Sequence, residues 1–178
     1  MKKLLSAFCL ALLLNSGCKK EIEKIPSATH SGANTFGCLI NGKAWVPTGR
    51  EWMSGVNPTS GGFFGEVDNS TSIYIKAYAE NDEIKIYLKN IIKTGTYDLN
   101  KTTSIKPYAV LPEASYGVYS LINDAEYVTD LEHTGTVVIT YADTTNRIVA
   151  GTFNMLLYQK NTGKTINITN GRFDYKNH

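Results

Sequence analysis

The sequence predicts an all-β fold, an antiparallel β-sandwich or flattened β-barrel of many short strands, preceded by a signal-peptide helix and a flexible linker. Three observations carry that expectation. Apolar residues recur with a period of two, most cleanly at Ile73, Ile75, Ala77, Ala79 and again at Ile84, Ile86, Leu88, the alternation of a strand with one buried face. Turn-forming groups separate such segments, at Asn41-Gly42, Asn81-Asp82 and Asn161-Thr162-Gly163-Lys164. After the first 17 residues no stretch of useful length carries a helical period. Many short strands joined by Gly/Asn turns form a sandwich or barrel.

The N-terminus is a different kind of segment. Lys2-Lys3, the apolar run Leu4 to Leu14 and the small pair Ser16-Gly17 have the layout of a secretory leader. The run is too short to cross a membrane, which takes about 20 apolar residues. Cys18, placed directly after the small pair, resembles the lipobox of bacterial lipoproteins, where the cysteine is acylated and becomes the mature first residue. Asn15 stands where leucine is usual, with Leu14 one step back, as in relaxed versions of the motif. The resemblance implies a signal peptide over 1–17, a lipid-anchored linker over 18–33 and one all-β domain over 34–178. A lipoprotein cysteine carries at least two acyl chains, and two or more chains anchor stably. Lys19 follows the cysteine instead of the aspartate that marks inner-membrane retention, which implies the outer membrane. Lys20-Glu21-Ile22-Glu23 is similar to short Lys/acidic signals for surface export; periplasmic and outward-facing sides both stay open.

Composition narrows the partners. The chain has 18 basic and 16 acidic residues; losing Lys2 and Lys3 with the leader brings the two to parity. A neutral domain without a basic run argues against nucleic acid. Of the three cysteines, Cys9 leaves with the leader and Cys18 is taken by lipid, so Cys38 has no disulfide partner. Within Phe36-Gly37-Cys38-Leu39-Ile40 it reads as a small core hydrophobe.

Lys19 to Ala33 is polar, contains Pro26 and Gly32, and reads as a spacer that holds the domain off the bilayer. Thr35 to Ile40 and Lys43 to Pro47 flank Asn41-Gly42, a hairpin signal. Thr48 to Ser60, with Trp52, reads as a long connection, and Gly62 to Val67 as a short strand before the Asp68-Asn69-Ser70 turn. In Ser72 to Glu80 and Glu83 to Asn90 the isoleucines face inward, while Tyr74, Lys76, Tyr78, Lys85, Tyr87 and Lys89 take the other face. Further strands are expected at Gly95 to Leu99, Tyr116 to Leu121, Glu126 to Thr129, Gly135 to Tyr141, Arg147 to Tyr158 and Thr165 to Tyr175. The last contains a parity break: Ile166 and Ile168 share one face, Phe173 and Tyr175 have the opposite parity. One inserted residue restores the facing, so a β-bulge is expected at Asn170-Gly171, with glycine supplying positive φ.

Thr35-Phe36-Gly37-Cys38-Leu39-Ile40-Asn41-Gly42-Lys43-Ala44-Trp45, Gly151-Thr152-Phe153, and Asn167-Ile168-Thr169-Asn170-Gly171-Arg172-Phe173-Asp174 together resemble a family of Bacteroidetes lipoproteins with an F-G-x-x-x-N-G-x-x-W hairpin and an I-T-N-G-R-F-D ending. The resemblance implies envelope location and an all-β fold. It carries over no catalytic or ligand residue.

Residues fit for chemistry are sparse. His30, His133 and His178 offer neither the convergent ligands of a zinc site nor a nucleophile motif of the Gly-x-Ser-x-Gly kind; His133 reads as a solvated loop residue, and no metal or other cofactor is expected. Asp124, Glu126, Asp130 and Glu132 cluster in an irregular segment without a calcium-loop pattern. Asp143-Thr144-Thr145 matches a short O-glycosylation acceptor. The candidate binding surface is Tyr74, Tyr78 and Tyr87 interleaved with Lys76 and Lys85, since exposed tyrosines stack on sugars and anchor partners. The competing reading folds the segment from Ile105 to Tyr127 across this face and buries the tyrosines. The function expected is a non-catalytic binding module, lipid-anchored, meeting glycan, protein or surface polymer. The alternatives are a hydrolase with dispersed carboxylates such as Asp124 and Glu126, and a barrel carrying a small apolar ligand.

Overall fold

The computed structural model describes residues 19–50, 55–65, 71–101, 114–122 and 126–177. Cys18, Trp52, Asp68-Asn69-Ser70, Asp124 and His178 lie outside them. The strands are β1 (Thr35–Ile40), β2 (Lys43–Trp45), β3 (Thr59–Gly65), β4 (Thr71–Tyr78), β5 (Asp82–Leu88), β6 (Gly95–Leu99), β7 (Tyr116–Leu121), β8 (Glu126–Val128), β9 (Gly135–Asp143), β10 (Ile148–Tyr158) and β11 (Thr165–Lys176). The fold is all-β, an antiparallel sheet curled into a half-barrel.

The curl has a simple construction. One limb runs β2-β1-β11-β10 with β9 and β6 beyond; the other runs β3-β4-β5-β7-β8. They join where the far end of β10 meets β8, through Tyr158 and Val128. Each limb turns its apolar parity inward. Ile73, Ile75, Ala77, Ile84, Ile86 and Leu88 are fully buried and pack with Val137, Ile139, Phe153, Ile168, Phe173 and Tyr175 in one core. Met155 lies against Gly117, where any Cβ would strike its sulfur at 2.3 Å. Large side chains thus fill the interior from both limbs.

Two turns explain themselves from sequence. Asn41 and Gly42 both have positive φ, 49° and 81°, the geometry of a two-residue hairpin that Asn-Gly favours. The bulge in β11 is where the parity break puts it. Pairing slips opposite Gly37/Leu39 of β1 and opposite Phe153/Met155 of β10, and both Ile168 and Phe173 face the core. The division of labour differs from the expectation. Asn170 takes the positive φ, 53°, and Asn154 Oδ1 accepts its N–H at 3.0 Å. Gly171 is needed for space: a Cβ there would lie 2.5 Å from the Phe153 ring.

The segment expected to be a flexible spacer is docked instead. Residues 19–22 form a helical turn, with Glu23 N–H donating to the Lys19 carbonyl at 3.2 Å. Glu21 accepts the Ala44 N–H of β2 at 2.9 Å and pairs with Lys24. Ile25 is buried, and Pro26 closes over Gly37 so tightly that a Cβ on Gly37 would come within 2.6 Å of the proline ring. Arg172 donates to the Pro26 carbonyl at 3.0 Å. Asp174, only 1% exposed, then collects Thr29 Oγ1–H at 2.6 Å, Ser31 N–H at 2.9 Å and Gly32 N–H at 2.7 Å. The strap ends with Asn34 Oδ1 accepting the Lys176 N–H at 3.1 Å. Burial alone would raise the Asp174 carboxyl, but the bonds from Thr29, Ser31, Gly32 and Ala33 outweigh it and hold the group below the ordinary carboxylate range.

Candidate functional site

The outer face of β4 and β5 holds every side chain of the expected binding surface, but it is not the open tyrosine platform that alternation alone predicts. Cross-strand pairs set three rows: Tyr78, Glu83, Ser120 and Glu126; then Lys76, Lys85, Val118 and Val128; then Tyr74, Tyr87 and Tyr116. The orientation is as expected and the exposure is not. Tyr87 is 2% exposed and Tyr78 4%, while Tyr74 is half-buried.

Two local structures account for the burial. Tyr87 packs with Tyr116, Val118, Val128 and Tyr74 in a second, small apolar cluster, its ring 5.6 Å from that of Tyr116. Its hydroxyl donates to Ser72 Oγ at 3.1 Å. Burial pushes the Tyr116 phenol up to about 12. Tyr116 and Val118 belong to the segment Ile105 to Tyr127 that the competing reading sends across this face, but they pair beside β5 in the same sheet; residues 105–113 and 123–125 of that segment lie outside the description. Tyr78 is covered by cations: the Arg50 guanidinium lies 5.4 Å and the Lys76 ammonium 5.5 Å from its ring centre, two cation–π contacts. Its hydroxyl donates to the Asn57 carbonyl at 2.7 Å.

Those cations converge on Glu83. Arg50 Nη2 is 3.5 Å away, Lys76 Nζ 3.6 Å, and Lys85 closes a direct ion pair. Burial works to raise the Glu83 carboxyl, but Lys85, then Lys76 and Arg50, outweigh it and hold it below the usual carboxylate range. Among the described residues two buried polar atoms of this cluster have no hydrogen-bond partner, Arg50 Nε and Ser120 Oγ. Unfilled buried hydrogen-bonding positions are costly. Both atoms are closed to solvent, so what the cluster offers is the charge of Arg50, Lys76 and Lys85 around the one Glu83 carboxylate. Nothing in the cluster resembles an activated nucleophile.

Arg50, Glu83 and Ser120 are the residues that sequence reading did not single out. Arg50 lies within the irregular connection Thr48 to Ser60, and no period brings it to the sheet. Ser120 reveals itself only through pairing with Glu83, a register that the sequence leaves open.

Elsewhere the reactive side chains serve the fold. Cys38 is fully buried, and burial, then the nearby Asp82 charge, push its thiol up, which makes it inert. Asp82 accepts Trp45 Nε1–H at 3.0 Å and the Tyr119 hydroxyl at 2.7 Å. His133 is half-buried rather than solvated, stacked on Tyr158 with ring centres 4.6 Å apart and 3.0 Å from Asp130 Oδ1. Asp130 also accepts the N–H groups of Glu132 and His133, so it forms the turn, while Glu126 lies in β8 and Glu132 is exposed. Asp143 likewise accepts the N–H groups of Thr145 and Asn146. Among the described residues no group of three or more His, Cys, Asp or Glu is placed to hold a metal ion.

A family model described as a domain of unknown function, DUF6252, matches residues 60–175, from β3 to Tyr175 of β11. The chain belongs to the DUF6252 family. No curated protein and no solved structure matches it. The DUF6252 match takes in Lys76, Tyr78, Glu83, Lys85 and Ser120 of the outer-face cluster, while Arg50 stands before it.

Proposed function

We propose that this protein is a lipid-anchored envelope domain, attached to the outer membrane through Cys18, that binds a glycan, protein or surface polymer and does not catalyse a reaction. The leader supports the anchor: Lys2-Lys3, the run Leu4 to Leu14, and Ser16-Gly17 directly before Cys18. The observation that carries the binding role is the polar cluster on the outer face. Arg50, Lys76 and Lys85 gather around the single carboxylate of Glu83, which leaves the cluster with an excess of positive charge. Charged and hydrogen-bonding groups held by a rigid sheet are preorganised for a polar ligand.

Two experiments test the two halves. A palmitate analogue fed to cells should label the wild type and leave Cys18→Ser unlabelled; an unlabelled, freely soluble wild type contradicts the anchor. An array of neutral and acidic glycans and envelope polymers should yield a ligand whose binding falls at least tenfold in Arg50→Ala/Lys85→Ala, about 1.4 kcal/mol. Ligand binding unchanged in that folded variant would place the binding surface elsewhere.

A further inference from the structure

The docked strap changes what an anchor at Cys18 would do to the domain. A flexible coil between Cys18 and Thr35 would let the domain wander by roughly 20 Å. Instead the helical turn begins at Lys19, the next residue, and one residue spans at most about 3.6 Å. From there the chain is held at Glu21 by Ala44, at Ile25 by burial, at Pro26 by Arg172, and at Thr29, Ser31 and Gly32 by Asp174. No slack separates the anchor position from the sheet.

Resting on the lipid-anchor reading, we propose that the β2 edge, together with residues 19–24, is a membrane-contact surface laid against phosphate headgroups. Two further features fit that partner. Lys19, Lys20 and Lys43 are exposed on this side, against Glu23, while Lys24 and Glu21 neutralise each other. Lysines at this height are attracted to phosphate-bearing lipid surfaces. β2 is also the terminal strand of its limb. Its Ala44 N–H is turned away from β1 and capped by Glu21, so the sheet edge on this side is closed to a pairing strand. The β9–β10 turn with Thr145, at the other end of the strands from the β1–β2 hairpin, is then the membrane-distal end.

The test uses the full acylated chain in vesicles of phosphatidylethanolamine and phosphatidylglycerol that carry a headgroup-linked quencher. A fluorophore is placed at Lys43→Cys or at Thr145→Cys, with Cys38 protected by burial. Quenching at position 43 several-fold stronger than at position 145 is the expected result. Vesicle-bound protein with equal quenching at both positions overturns the proposal and leaves the anchor reading standing. Protein that carries no acyl chain and stays off the vesicles overturns both. Asp174→Ala, which frees the strap, should shrink the difference between the positions; Glu21→Ala, which spares Asp174, should shrink it less. A difference unchanged in both variants shows that the strap does not set the orientation, and that also overturns the proposal.

Discussion

The strap over residues 25–34 and the β9–β10–β11 meander lie side by side, yet they are held by opposite means. The meander has long paired strands and large inward side chains: Val137, Ile139, Phe153, Leu157, Ile168, Phe173 and Tyr175 are all buried. The strap has one buried apolar anchor, Ile25, and otherwise depends on polar and ring contacts, most of them gathered on the carboxylate of Asp174, with Arg172 at Pro26, Lys176 at Asn34 and Tyr141 stacked on His30. Apolar burial spread over many residues fails gradually under mutation. A strap gathered on one buried charge can be released at one atom. The meander should therefore set global stability, and Asp174 should set a local equilibrium that leaves the sheet intact.

Breaking the meander should have the largest effect. Phe153→Ala removes a ring packed between Phe36 and Phe173, and a loss of about 3–5 kcal/mol should appear as a lower denaturant midpoint for the whole domain. Asp174→Ala comes next. It strands the N–H groups of Ser31 and Gly32, at a cost of about 1–3 kcal/mol, and the loss should appear as proteolytic cutting within residues 25–33 while β10 and β11 stay protected.

Acid should reproduce that release without mutation. Because the folded Asp174 carboxyl lies below its ordinary value, its contribution is complete above the unfolded carboxyl's value, about 3.9, and is lost as the pH falls through the folded value. Strap amides should keep their protection at neutral pH and lose it only below about pH 4. Glu21→Ala is the gentlest test. It removes the cap on Ala44 and should be seen as faster exchange at Ala44 alone, with the denaturant midpoint of the domain unchanged.

The contrast also explains what could be read from the chain. Period-two alternation reports which side a strand turns inward, so the strands over Ser72 to Asn90 and Gly135 to Tyr175 and the parity break at Asn170-Gly171 were legible, while the order of strands between Ile105 and Asp130 was not. Alternation does not report what covers the other side. Tyr78 and Tyr87 follow the outward parity and are buried all the same, one under Arg50 and Lys76, the other beside Tyr116. The strap carries no period because Thr29, Ser31 and Gly32 bond through a hydroxyl and backbone N–H groups, which most sequences could supply. One feature could have signalled it, the apolar pair Ile25-Pro26 inside a polar stretch. The outer-face cluster was half legible, through Lys76, Tyr78 and Lys85, since its remaining members come together only once the register is fixed.

Hydrogen exchange on the intact chain at neutral pH tests the docked strap most directly. The amides of Ser31 and Gly32, which donate to Asp174, should exchange far more slowly than free chain and speed up in Asp174→Ala, with β10 and β11 unchanged. Free-chain exchange at both positions in the wild type, beside a protected sheet, would contradict the account and restore residues 19–33 to the flexible spacer that their composition suggests.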